Sequence, residues 1–399
     1  MRILNLSAAA TLLVLPAIPV QASQNSFNPA ISLVLDGHYA SYDKPAGNYT
    51  LPGFMLGEEA GLDDEGFAIG ESELIASANI DSQFYGKLTL AIADSAGASE
   101  LGIEEAYVDA LGIGNGVSLR FGRFFSAFGY LNEQHAHAWD FADAPLVYRA
   151  MFGDQLKDDG IQLVYLAPTD LFLSIGAELL SGKQYPAGGD QQGAGAWTAF
   201  INVGDDIGVA HSWLLGLNHW QADVKQRTAG EIDFAGNLAT PAFSGNSKIN
   251  AIDFVYKWAP NGNPKNENFK FQFEYFDRRE NGDLSLIDSV PLAMSSYAGD
   301  QSGWYAQTLY QFASQWRTGL RFDQLNSDNT ASDSSVLASA NLDNLGHTPK
   351  RQSLMLEWLP SEFSRLRLQL NRDASTPQTD NQLLLQYTMS LGSHGAHAY

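Results

Sequence analysis

Apolar and polar side chains alternate residue by residue through segment after segment of this chain. In the last such segment Leu383, Leu385, Tyr387, Met389 and Leu391 share one face, and Gln386, Thr388 and Ser390 share the other. A period of two sends successive side chains to opposite faces of an extended strand, so each segment predicts a strand with one apolar and one polar face. The pattern begins at Pro29–Tyr42, where Ile31, Leu33, Leu35 and Tyr39 oppose Ser32, Asp36 and His38. It recurs over 67–80, 84–93, 103–110, 117–121, 161–165, 171–179, 197–203, 209–219, 252–258, 269–275, 304–312, 316–325, 353–359, 363–370 and 383–391.

The connections sort into two kinds. Compact turns (Asp81–Gln83, Gly112–Gly116, Ala167–Asp170, Gly204–Asp206, Ala259–Asn268, Ala313–Gln315 and Pro360–Ser361) alternate with longer, polar or glycine-rich loops. A soluble sandwich also alternates, but its loops do not sort by edge. About sixteen strands with this sorting predict an all-β fold: a transmembrane antiparallel β-barrel, closed so that neighbouring strands satisfy every backbone group.

Composition supports a membrane barrel. Charged residues make up 17% of the chain and aromatic residues 12%, against ~25% charged in an average soluble domain. Residues 1–22 read as a signal peptide: Arg2, an apolar run from Leu4 to Val20 broken by Pro16 and Pro19, and a small-residue end at Ala22. The barrel then occupies residues 23–399. No later run reaches the ~18 apolar residues of a membrane-spanning helix. The expected location is the bacterial outer membrane. The expected partners are outer-membrane lipid, lipopolysaccharide and the barrel assembly machinery, with a homotrimer as the expected assembly. A net charge of −22 excludes nucleic acid as a partner and favours cations. The chain has no cysteine, which removes thiolate chemistry and cysteine-bound metals.

One connection differs from the rest. Residues 126–157 carry Phe128, Tyr130, Leu131, Trp139, Phe141, Leu146, Val147 and Tyr148, side chains unsuited to a solvated loop. About sixteen strands leave an aqueous channel unless something fills it. The strands start almost at the mature N-terminus, so this loop, folded inward, is the expected filler. Its His135 and His137 lie close enough to bind one cation, with Glu133, Asp140 and Asp143 as further oxygen ligands. Imidazole with carboxylate suits Zn²⁺, the one cofactor the residues suggest. The competing reading is that the histidines hydrogen-bond and fix the loop. His394 and His397 form a weaker second candidate. His211 and His219 are expected on the lipid face near the two ends of one strand.

Glu71, Glu73, Glu105 and Asp109 are expected to line one wall of the lumen, with Arg120 and Arg123 opposing them. Such a pair of walls sets up a transverse field that selects by charge, unless the charges simply pair and stiffen the barrel. No Ser/His pair falls on neighbouring strands, so no catalytic residues and no enzymatic activity are expected.

The stretch LGIEEAYVDALGIGNGVSLRFGRFFSAFGYLN resembles the strand–turn–strand signature of the phosphate-selective porin O/P superfamily. There an Ala-Tyr strand, a glycine turn and an Arg-x-Gly-(Arg or Gln)-Phe strand precede the constriction loop. NEQHAHAWDFADAPLVYRA, KWAPNGNP and SLGSHGAHAY resemble exported proteins labelled zinc-regulated TonB-dependent outer-membrane receptors. The first resemblance implies a porin with a constriction loop, the second metal-linked uptake. Together these readings predict a porin-like channel for small solutes, favouring cations and linked to zinc. The alternatives are a metal or metal-complex receptor without a separate plug, and a structural or adhesive barrel.

Overall fold

The computed structural model describes residues 29–57, 60–95, 98–189, 191–229, 231–232 and 238–392. Residues 1–22, read as a signal peptide, and His394 and His397 lie outside the described residues. Sixteen wall strands follow one another around a closed sheet. The first half holds β1 (Ala30–Tyr42), β2 (Gly66–Ile69 continued by Ser72–Asn79), β3 (Phe84–Ser95), β4 (Ala98–Gly114), β5 (Val117–Phe125), β6 (Lys157–Leu166), β7 (Phe172–Leu180) and β8 (Ala196–Ile207). The second holds β9 (His211–Thr228), β10 (Pro241–Trp258), β11 (Asn268–Leu286), β12 (Ala293–Ala313), β13 (Trp316–Ala331), β14 (Lys350–Ser361), β15 (Ser364–Ala374) and β16 (Asp380–Leu391). The two pieces of β2 both pair with β1, so they count as one wall strand. Every strand is antiparallel to its chain neighbours, and β1 closes the ring against β16 over ten residue pairs, Leu33–Tyr42 against Gln382–Leu391. Closure leaves no edge, which is what lipid requires of a spanning sheet.

The expected strands all appear, but many are longer than the alternation indicated. Spans read as 252–258, 269–275 and 304–312 are β10, β11 and β12, of 18, 19 and 21 residues. A bilayer needs only ~9–11. Their outer halves rise above the lipid, where both faces meet polar surroundings, so alternation fades. In β11 the run Arg278–Asp283 is polar on both faces, with Arg278 buried inside and Arg279 mostly exposed outside. Two turns also shift. β8 continues through Gly204–Asp206 and turns at 208–210, where Gly208 has φ +65°. The Gly112–Gly116 turn tightens to Asn115 and Gly116, with φ +53° and +78°, the pair of positive values a two-residue hairpin demands.

The outer face is apolar: Leu354, Leu356, Leu366, Leu368, Leu383 and Leu385 all point outward, exposed to the membrane. Phe312, Trp316, Trp358 and Phe363 gather at the short-turn end, and Trp316 stacks on Trp358 at 6.5 Å. Aromatic rings of this kind sit at the membrane–water boundary. His211 and His219 lie on this outer face, as expected; His211 Nδ1 is 2.6 Å from the Tyr256 hydroxyl, and the His219 ring lies 4.9 Å from that of Trp197. A closed sixteen-strand barrel with an apolar exterior belongs in the outer membrane, its short turns facing the periplasm.

The lumen is packed. The connection from β5 to β6 folds inward and carries a seven-residue helix, α1 (Leu146–Phe152), every residue of which is buried. Phe128, Tyr148 and Phe152 pack edge-on or tilted around Phe276 of β11. Leu51, Phe54 and Met55 from the β1–β2 connection complete the cluster. These aromatic residues marked the loop in the sequence, and burial against the wall accounts for them.

Candidate functional site

The inward loop is tied at its neck. Asn132 donates to the carbonyls of Ser126 and Leu156 (both 2.8 Å) and accepts from the Leu156 amide (2.7 Å), holding the two ends of the loop together. Glu274 of β11 accepts from the Leu131 amide (3.0 Å) and the Tyr148 hydroxyl (2.8 Å), fixing α1 to the wall.

The lumen has two walls of opposite charge, and the loop spans them. The acidic wall comes from β2 and β4. Glu73, Glu104 and Glu105 are all buried there. Consecutive residues of a strand normally face opposite ways, yet Glu104 and Glu105 both point inward. The reason is a bulge: Thr89 pairs with Glu105 and Leu90 with Ile103, so Glu104 is an extra residue. Glu104 was not among the residues expected, because strict alternation sends it outward; the adjacent glutamates were the signal.

Both loop histidines dock on this wall. His137 Nδ1 lies 2.6 Å from Glu73 Oε1. His135 Nδ1 lies 3.1 Å from Glu104 Oε2 and 3.2 Å from Glu73 Oε2, and its Nε2 lies 2.8 Å from Glu105 Oε2. Lys87 adds one cation, 2.6 Å from Glu105. Burial alone would lower the basicity of His135, but hydrogen bonding to Glu104, Glu105 and Glu73 outweighs it and holds the imidazole well above its usual pKa. The expected pairing of histidine with carboxylate is therefore present, with different carboxylates.

Glu133, Asp140 and Asp143 do not join the histidines. Asp140 accepts from Lys270 (2.8 Å) and Arg317 (3.1 Å). Asp143 accepts from Arg321 (2.5 Å), Arg351 (2.9 Å), Gln369 (2.7 Å) and Asn371 (3.0 Å). Burial alone would raise both carboxyls. The Lys270 and Arg317 charges at Asp140, and those of Arg351 and Arg321 at Asp143, override it and hold both below the usual carboxylate range. Glu133 faces a cavity at the periplasmic end instead. Two aspartates expected as metal ligands are thus anchors to a basic wall of Arg317, Arg321, Arg351, Arg365 and Arg367 on β13 to β15. The last two donate to loop carbonyls, Arg367 to Trp139 (2.6 Å) and Arg365 to His137. This wall was missed as a unit, although each arginine occupies an inward position of an alternating strand.

Arg120 and Arg123 do not form it. Three residues apart on one strand, they face opposite ways. Arg120 points inward and pairs with Asp109 on the neighbouring strand (2.8 Å), on the same side of the lumen rather than across it. Arg123 points outward with Phe121 and pairs with Asp159 (2.8 Å), so it does not line the lumen. Glu71 lies where expected, on the wall of an outer cavity.

Two cavities flank the loop. One of about 410 Å³ lies toward the outer end, lined by Asp36, His38, Asp63, Glu71, Glu104 and Arg149 among others. The second, about 590 Å³, lies toward the periplasmic end, with Glu133, His135, Asp253, Lys257 and Lys270. His137 lines both. The histidine segment is the septum between them.

This architecture is that of a porin-like outer-membrane barrel. Solved structures share it. OprB of Pseudomonas putida aligns with a TM-score of 0.56 at 11% identity, covering 91% of this chain and 94% of that one. The outer-membrane channel DcaP of Acinetobacter baumannii aligns at 0.54 and 14% identity, over 91% and 97% of the two chains. OmpT of Vibrio cholerae aligns at 0.55 and 10% identity, over 91% and 99%. An uncharacterized protein of Aquifex aeolicus (strain VF5) is 28% identical over 404 residues, 94% of this chain and 81% of that one. No family model matches the chain.

Proposed function

We propose that this chain is a porin-like channel that passes small hydrophilic solutes across the outer membrane and favours cations, with no catalytic role. The observation that carries this reading is the pair of cavities meeting at His137. The outer one is lined by Asp36, Asp63, Glu71, Glu104 and Asp154 against Arg149 and Lys157. Carboxylates outnumber fixed cations there, and a low-dielectric wall focuses that excess on the solute path. The arginines of the opposite wall are engaged by Asp140, Asp143, Asp323, Glu357 and loop carbonyls.

Reversal potentials across planar bilayers in a KCl gradient test the reading. K⁺ is expected to be favoured over Cl⁻, and the ratio is expected to move toward one in the Glu71→Gln/Glu104→Gln variant. Anion preference in the unaltered protein, the behaviour implied by resemblance to phosphate-selective porins, would refute it. Export by the leader at residues 1–22 and a homotrimeric state belong to the same proposal. OmpT of Vibrio cholerae has been solved in a trimer form. Metal-linked uptake is the second reading, and it rests on a separate observation, the cluster of Glu73, His135 and His137.

A further inference from the structure

Three potential metal ligands converge at the septum. One ligand atom from each of Glu73, His135 and His137 lies within 4.8 Å of the other two, and all three residues are buried. Glu104 lies beside this group, with Oε2 3.1 Å from His135 Nδ1. The spacing suits a single ion. Ligand bonds of ~2.0–2.2 Å in tetrahedral geometry place ligand atoms ~3.3–3.5 Å apart.

Two further features point to an ion rather than to a plain hydrogen-bond network. Glu73 Oε2 is fully buried and takes no hydrogen bond, although it lies 3.2 Å from His135 Nδ1. That nitrogen faces oxygens of two different glutamates, and a single N–H divided between two acceptors serves each weakly. His135 is also held from behind, with Nε2 2.8 Å from Glu105 Oε2. A carboxylate on one imidazole nitrogen fixes the tautomer that frees the other nitrogen for a metal. The local charge agrees. Of the ion pairs that Glu73, Glu104 and Glu105 make among the described residues, one is to a fixed cation, Lys87 beside Glu105, so the cluster carries an excess of carboxylate that favours a divalent ion.

We propose that Glu73, His135 and His137 form a binding site for a divalent transition-metal ion of the Zn²⁺ class, and that its occupancy lowers cation conductance. Two imidazoles select this class over Mg²⁺ and Ca²⁺, which take oxygen ligands. The site differs from the set read in the sequence: Asp140 and Asp143 are committed to arginine and lysine, and Glu133 lies apart. The ion reaches it from either cavity, because His137 lines both. Bound there, it neutralises the acidic wall and pins the loop to it. The effect on conductance rests on the channel reading; the binding site does not.

Titration calorimetry of the folded, detergent-solubilised barrel with Zn²⁺, and visible spectra with Co²⁺, test binding without reference to transport. One ion per chain is expected, with Mg²⁺ failing to compete. Glu105→Gln, which removes the support behind His135 and the carboxylate that pairs with Lys87, should weaken binding about 10–100-fold. Glu73→Gln and His137→Ala should weaken it more, and His219→Ala not at all. Heat-modifiable gel migration establishes that each variant has folded. Absence of binding, affinity unchanged in both Glu73→Gln and His137→Ala, or loss that follows His394→Ala and His397→Ala instead would each overturn the site. In bilayers, micromolar Zn²⁺ should lower conductance in the unaltered protein and not in His137→Ala. Binding without any change in conductance overturns the regulatory role alone. Absence of any conductance in metal-free protein overturns the channel reading and leaves the site standing.

Discussion

Replacing Asp143 with alanine should raise single-channel conductance and destabilise the folded barrel. Asp143 is the hub of the loop's attachment to the basic wall, accepting from Arg321, Arg351, Gln369 and Asn371. Its removal leaves two buried guanidinium groups, Arg321 and Arg351, to share the carboxylate of Asp323. Breaking a buried ion pair by deleting one partner costs about 3–5 kcal/mol, most of it from the charge left behind. The strand ladder is untouched, so the loss falls on loop docking. The loop should spend time displaced, and conductance should become larger and noisier. A variant with unaltered conductance, noise and melting temperature would show that Asp143 does not hold the loop. The pH dependence has a definite sign. A carboxylate held below its unfolded pKa stabilises the docked state above ~4 and loses that effect as pH falls through the folded pKa. Docking should therefore persist through the ordinary carboxylate range and fail only in stronger acid. Asp143→Ala should shrink that acid transition, leaving the share due to Asp140.

Pinning the loop should have the opposite effect. Gly303 of β12 faces α1 so closely that a Cβ placed there would lie 3.2 Å from the Cβ of Val147. Disulfides span ~3.5–4.5 Å between Cβ atoms, so Val147→Cys/Gly303→Cys needs a shift of a few tenths of an ångström and some movement of the Leu325 tip. The chain has no cysteine of its own, so no mispairing competes. The bridge should form during export into an oxidising compartment. It should retard unfolding on gels until reduced, and suppress the added conductance of Asp143→Ala. Free thiols in the folded, oxidised protein would place α1 away from this wall.

Much of this was legible in the sequence, for a physical reason. Lipid imposes strict alternation, so all sixteen strands stood out where they cross the membrane. The aromatic residues of 126–157 likewise required burial, and an unfilled lumen was the place for it. What alternation cannot carry is what lies beyond lipid or breaks the period. The outer halves of β10 to β12 are wet on both faces. Glu104 points inward only because of a bulge. Arg123 lies close to Arg120 in sequence, yet a separation of three residues reverses its face. Asp140 and Asp143 neighbour the histidines in sequence alone. In space the chain turns between them, and the aspartates meet arginines more than 170 positions later.

That last separation bears on how the barrel forms. The loop joins a wall made by β2 and β4, near the start of the chain, to one made by β13 to β15, near its end, and the β1–β16 seam lies between them. Slippage of the seam by two residues keeps every side chain on its proper face, so lipid would not detect it. It would shift the two walls past each other by ~7 Å, too far for one loop to satisfy both. The charged loop thus acts as a register gauge: only the correctly joined barrel lets its histidines and aspartates find their partners at once.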